Sequence, residues 1–183
     1  METKPIQDTY PDELSHCFGC GRLNAQGHQL KSYWDGKEAV AQFTPLPHHI
    51  AIPGYAYGGL IASLIDCHAM ATAAAAALDA GHEQGDPRPL RYVTASLRVD
   101  YLRPTPLGPP LEIRGRPKEI RGKKVVVEVR LLAGGVECAH AEVIAVQIPQ
   151  TMTRADRKAC GNVTVDIPGD IEHCREEEWP SLK

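Results

Sequence analysis

Between Gly58 and Asp79 the chain reads GGLIASLIDCHAMATAAAAALD, a stretch that is apolar or small nearly all the way round a helical wheel. A helix without a polar face must be covered on most of its sides, so it either crosses a membrane or forms the centre of a fold that wraps it. The run is mostly alanine and carries Asp66 and His68. That content favours a buried helix over a membrane span. Gly81 supplies a stop signal.

Asp66 sits two turns inside this apolar helix, where an ionised side chain is costly unless it is paired or used. The helix opens on Gly58-Gly59. Backbone N–H groups at a helix start are unsatisfied donors at the positive end of the dipole, and glycine lets a ligand approach them closely. Donors facing a carbonyl oxygen, with a carboxylate about two turns away, form a layout suited to acyl transfer. At 3.6 residues per turn Gly59, Ala62, Asp66 and Ala69/Met70 share a face, and Ala62, Ala69, Met70 and Ala73 suggest an apolar tunnel. The competing readings are a core aspartate that accepts hydrogen bonds, and glycines that merely permit close helix packing.

The rest of the chain supplies strands. Residues 1–15 read as a polar leader, and Cys17 to Gly27 is rich in turn residues. Two short strands are predicted near Gln29–Trp34 and Glu38–Phe43, joined by Asp35-Gly36, a hairpin signal. A Pro/His-rich loop runs from Pro45 to Pro53, and a polar loop follows the helix to Arg91. Tyr92–Leu102 alternates, with Ala95, Leu97, Val99 and Tyr101 on one face and Thr94, Ser96, Arg98 and Asp100 on the other. Further strands are predicted at Leu111–Ile120, Lys124–Ala133 and Val136–Ile148, with turns at Arg121–Lys124 and Gly134-Gly135. The organisation is a leader over 1–15, one domain over 16–149, and a polar, irregular extension over 150–183. Two strands, one long apolar helix and four strands give an α+β architecture. A curved antiparallel sheet wraps the helix, which is the hotdog fold.

Bulk properties exclude several classes. Net charge is −3 and charged residues make up 23% of the 183, with no basic patch of the kind a nucleic-acid binder needs. The N-terminus has no apolar signal core, so a cytoplasmic location is expected. Six scattered cysteines then read as thiols. Cys17-Phe-Gly-Cys20 has zinc-ligand spacing but would need two further ligands, and a tight turn is the preferred reading. Loose candidates for those ligands are Cys160, His173 and Cys174 in the tail. Cys67 reads as a packing residue, His68 as a buried or interface histidine, and His140 as a satisfied histidine. Ser63 lies one turn before Asp66 without the Gly-x-Ser-x-Gly elbow of a nucleophile.

Three motifs carry a resemblance. Cys17-Phe-Gly-Cys-Gly-x2-Asn-x2-Gly27, Tyr57-Gly58-Gly59 through Asp66, and Thr94-Ala-Ser-Leu-Arg-Val-Asp-Tyr-Leu-Arg-Pro104 occur in this order. In them the chain resembles the hotdog-fold acyl-CoA thioesterases. The nearest branches are the 4-hydroxybenzoyl-CoA and phenylacetate-pathway thioesterases and the mammalian mitochondrial acyl-CoA hydrolases. The similarity covers Cys17 to Ile148. It implies that Asp66 is general base or nucleophile, that the Gly59 N–H polarises the thioester carbonyl, and that Thr94 orients water or the carboxylate. It also implies sites between protomers of a dimer or a dimer of dimers. The family usually has His where this chain has Tyr57, and a phenol cannot supply an imidazole. His48 and His49 in the preceding loop are candidates to take over part of that role.

Clustered cations attract the phosphates of coenzyme A, which makes Arg103 and the turn Arg121, Gly122, Lys123 and Lys124 candidates for CoA binding, with Gly58 and Ser63 lining the acyl end. The expected function is acyl-CoA thioester hydrolysis by Asp66, Gly59, Thr94 and Tyr57, with no metal or redox cofactor and with neither nucleic acid nor membrane as partner. The alternative is a non-catalytic acyl-CoA or small-ligand binding protein of the same fold. An enoyl-CoA hydratase ranks last, because no well-spaced His-Asp or His-Glu pair lies on the helix.

Overall fold

A computed structural model describes residues 4–81 and 91–148. The extension over 150–183, with Cys160, His173 and Cys174, lies outside the described residues. In chain order the elements are β1 (Ser32–Trp34), β2 (Ala39–Phe43), β3 (Ile50–Ile52), β4 (Tyr55–Ala56), α1 (Gly58–Asp79), β5 (Tyr92–Tyr101), β6 (Leu111–Arg121), β7 (Lys124–Ala133) and β8 (Val136–Gln147). The strands β1-β2-β6-β7-β8-β5 form one sheet in that spatial order, every pair antiparallel, and β3-β4 form a separate hairpin. This is the hotdog arrangement.

The helix is the core. From Leu60 to Ala77 every residue is buried except Ala62, Ser63 and Asp66. By length and composition α1 could cross a membrane, yet 83% of its most apolar window is buried inside the protein. Its apolar surface is covered by Ile113 of β6, Val125, Val127, Val129 and Leu131 of β7, and Ala139, Ala141 and Val143 of β8. Leu64 and Ile65 are fully buried, each contributing about 1.5–3 kcal/mol by removal from water. Small residues let the sheet come close. At Gly115 of β6 a Cβ would stand 2.3 Å from Thr72 Oγ1 and 3.1 Å from the His68 ring, so the helix is seated against bare backbone there.

Three local readings change. The first strand begins at Ser32, not Gln29, because Gln29 has φ +50 and Leu30 N–H is committed to the Gly19 carbonyl at 3.1 Å. The loop at Pro45–Pro53 holds a 3-10 turn at Pro47–His49 and the β3 strand. The polar leader is anchored. It forms 3-10 turns at Ile6–Thr9 and Asp12–Leu14, and the buried Gln7 side chain binds Ser32 twice.

That anchor continues into the helix. Ser32 Oγ lies 2.9 Å from His68 Nδ1, and His68 Nε2 lies 3.1 Å from the Ala39 carbonyl. A carbonyl only accepts, so Nε2 carries the proton and Nδ1 accepts from Ser32. Both ring nitrogens are satisfied with the ring neutral. Burial holds the His68 pKa down at about 4. His68 is therefore a structural residue of the core.

Candidate active site

The three incompletely buried residues between Leu60 and Ala77 follow one line with Gly59. Gly59, Ala62, Ser63 and Asp66 fall at i, i+3, i+4 and i+7, a single stripe from the helix start to the carboxylate. The stripe ends there. Met70 is nearly buried, and Ala69 and Ala73 are sealed in the core, so the expected tunnel along Ala69, Met70 and Ala73 does not exist in this protomer. Their small side chains serve the approach of the sheet instead.

At the upper end of the stripe Tyr57 is the N-cap of α1 with extended backbone, and no side chain caps the helix. By helix geometry the first N–H groups, those of Gly58 and Gly59 among them, lack an intrahelical acceptor. The Tyr57 ring folds over Gly59. A Cβ on Gly59 would meet the Tyr57 ring at 2.4 Å and its hydroxyl at 2.7 Å. Tyr101, on β5, donates its hydroxyl proton to the Gly58 carbonyl at 2.9 Å.

At the lower end Thr94 Oγ1 donates to Asp66 Oδ1. The Asp66 carboxyl is pushed above the usual range, first by burial, with the Thr94 bond opposing and the nearby Cys17 sulfur adding to the rise. The pairing depends on an irregularity. In β5, Thr94 pairs with Ala145 and Ser96 with Ile144, which leaves Ala95 as the extra residue of a bulge. A bulge resets side-chain alternation. Thr94 and Tyr101, expected on opposite faces, therefore both reach α1, with Val99 between them packed on the core.

The cationic candidates are separated. Arg103 donates to the Glu137 carbonyl at 2.8 Å, near the β7–β8 turn, and Leu102 and Arg103 N–H both bond the Cys138 carbonyl. The turn with Arg121, Gly122, Lys123 and Lys124 lies at the other end of the sheet, where Gln147 N–H bonds the Lys123 carbonyl. Six residues of β8 separate the row of Thr94 from the row of Tyr101, about 20 Å. The turn shares the Thr94 end, and Arg103 the end of the helix start. Ser63 Oγ sits beside Gly19 of the N-terminal turn.

His48 and His49 pack on each other in the loop before α1, their ring centroids 4.2 Å apart. His49 Nδ1 accepts the Leu46 N–H at 2.9 Å, and its ring packs against His28, His48 and Phe43. Burial first, and neighbouring histidines second, hold His28 and His49 below the ordinary imidazole range, so neither adds positive charge at neutral pH. What His49 does give is its carbonyl, which accepts the Tyr57 N–H at 2.8 Å and fixes the entry to α1.

Sequence reasoning missed one further feature beside the site. Cys17, Cys20 and Cys67 bring their sulfurs within 4.8 Å of one another, with Cys17 and Cys67 at 3.6 Å. Bonds from the Cys20 and Cys67 thiols hold Cys17 below the ordinary thiol range, and the same contact, with burial, pushes Cys20 up to about 11. Fifty residues separate Cys17 from Cys67 in the chain. Nothing local in the sequence could have paired them.

Residues 53–139, from the β3–β4 turn into β8, match the thioesterase superfamily. A thioesterase superfamily protein from Shewanella loihica PV-4 is 46% identical, covering 76% of this chain and 100% of its own, with a TM-score of 0.58. The chain belongs to the thioesterase superfamily. An acyl-coenzyme A thioesterase, THEM4 from Xenopus laevis, is 31% identical over 112 residues, or 61% of this chain. The chain matches 45% of the length of that curated relative. A Streptococcus mutans UA159 protein solved with acetyl-CoA shares the fold at 21% identity and a TM-score of 0.53, covering 65% of this chain and 88% of its own. The stripe from Gly59 to Asp66 lies near the N-terminal end of the matched region.

Proposed function

We propose that this protein hydrolyses an acyl-CoA thioester to the free acid and CoA. The observation that carries the reading is the pairing of Asp66 with Thr94 at the foot of the half-exposed stripe below an uncapped helix start. The Xenopus relative is an acyl-CoA thioesterase, and the Streptococcus mutans neighbour holds acetyl-CoA, which supports the same ligand class here.

In the reaction the thioester carbonyl accepts a hydrogen bond from the Gly59 N–H. The seven residues from Gly59 to Asp66 rise about 10 Å along the helix axis. That offset is too long for direct attack by Asp66 on a carbonyl held at Gly59 of the same protomer and favours general base over nucleophile. Asp66 takes the proton of the water as its oxygen adds to the carbonyl carbon, and the dipole of the helix start stabilises the oxyanion. The tetrahedral species collapses with loss of the CoA thiolate, which takes up a proton. Thr94 holds the carboxylate in place. Tyr57, its ring over Gly59, offers a phenolic donor at the oxyanion in place of the usual imidazole. Of the cationic candidates, Arg103 shares the end of the sheet with the helix start and is the one placed to meet the phosphates of a CoA whose carbonyl lies at Gly59, while the Arg121–Lys124 turn lies at the opposite end.

The working unit in this reading is a dimer, or a dimer of dimers, in the cytoplasm. β5 is the outer strand of the sheet, and Val93, Leu97, Tyr101 and Leu102 are exposed on or beside it, next to the site. A second copy would cover them and wall the stripe. The second reading, an acyl-CoA binding protein without hydrolysis, is favoured by Tyr57 alone. A panel of short, medium, long and aryl acyl-CoAs, followed by free-thiol release, separates the two. Release that Asp66→Asn abolishes supports hydrolysis. Protection of the protein against heat by CoA esters, without thiol release, means a binding module.

A further inference from the structure

We propose that Cys17, Cys20 and Cys67 together hold one thiophilic d10 cation, zinc(II) or copper(I), through three thiolate sulfurs. This goes beyond acyl-CoA hydrolysis and does not rest on it. The three sulfurs converge from two segments, the N-terminal turn and the helix turn that follows Asp66. All lie within 4.8 Å, and Cys17 and Cys67 are 3.6 Å apart. Zinc–sulfur bonds of about 2.3 Å set tetrahedral sulfurs about 3.8 Å apart, so a small contraction at Cys20 completes three corners.

The turn is shaped for this. Gly21 N–H bonds the Cys17 carbonyl at 2.8 Å and closes the turn that carries the Cys17–Cys20 pair. Both glycines are required by contact. A Cβ on Gly19 would stand 2.3 Å from Cys67 Sγ, and one on Gly21 would stand 2.5 Å from the Cys17 nitrogen. The turn therefore closes over the helix cysteine as well as its own pair. Three thiolates suit copper(I) as they stand, and zinc adds a fourth ligand at an open corner. Coordination releases the remaining thiol protons to solvent.

The test uses the full chain. Metal analysis of protein isolated without chelator identifies zinc or copper. Reduced, metal-stripped protein is then titrated with cadmium(II), a d10 probe, and followed by thiolate-to-metal absorption in the ultraviolet. One equivalent is expected, with Cys17, Cys20 and Cys67 shielded from alkylation in a mass-spectrometric map. Cys67→Ser is expected to lose the band, and Cys138→Ser to keep it. If Cys67→Ser does not fold, the alkylation map of the wild-type protein decides by itself. Absence of the band, a band indifferent to Cys67→Ser in folded protein, or shielding of other cysteines overturns the assignment.

Discussion

Thr94 has one evident partner in the site, the Asp66 carboxylate, and this makes a two-residue cycle informative. Thr94→Val keeps the branched shape and deletes only the hydroxyl that donates to Asp66 Oδ1. A hydrogen bond to a charged group is worth about 1.5–3 kcal/mol, with the lower end expected at a strand residue as exposed as this one. If that bond holds the carboxylate in its reactive position, kcat/KM falls about 10- to 100-fold. Asp66→Asn removes the base outright and costs about 10²- to 10⁴-fold, while its amide oxygen still accepts from Thr94 and preserves the packing. Because Thr94 acts only through Asp66, the double variant should be about as slow as Asp66→Asn alone. The assay is free-thiol release from acyl-CoA by the four proteins, with circular dichroism and sedimentation showing equal folding and assembly. A double variant whose loss equals the product of the single losses would refute the idea that Thr94 works by positioning Asp66. So would a Thr94→Val protein as fast as the wild type.

Three other outcomes are expected. Since His68 is held neutral with its pKa at about 4 against 6.5 for the free group, the unfolded chain binds the extra proton between these values. Its contribution of about 3 kcal/mol is therefore full above pH 6.5 and lost as pH falls toward 4; the stability difference between wild type and His68→Gln in urea titrations should shrink over that window, and a constant difference contradicts the assignment. Gly115→Ala forces a Cβ against Thr72 Oγ1, which is itself bound to the His68 carbonyl at 2.8 Å, and should lower stability by about 1–3 kcal/mol in denaturant unfolding. Gly59→Ala drives the exposed Tyr57 ring aside, so thiol release should fall while the melting temperature holds; a melting temperature that falls with the rate would show that Gly59 is needed for packing instead.

The central helix and most of the strands were legible because their signals are local. Apolar residues all round Gly58–Asp79, alternation in β6 to β8, and Asp35-Gly36 are short-range patterns fixed by backbone periodicity and turn geometry. The glycine pair and Asp66 stood out for the same reason, as a charge where an apolar helix has no place for one. Where the sequence misled, a specific backbone hydrogen bond had won over the residue pattern. Gln29 leaves the strand region because Leu30 is tied to Gly19. The Pro/His loop becomes a turn and hairpin because β4 pairs back on β3.

The site itself divides along the same line. The sequence by itself determined the helix, its uncapped glycine start and the carboxylate on one of its faces. Only the tertiary structure decided that Thr94 meets that carboxylate, because the bulge at Ala95 exists only in the pairing of β5 with β8. Only the tertiary structure brought Cys67 to Cys17 and Cys20, seated His68 between Ser32 and Ala39, and sealed Ala69 and Ala73 away from substrate. Periodicity records which way a side chain points from its own element, whereas these contacts depend on how closely two elements approach, and that distance is set by every residue between them.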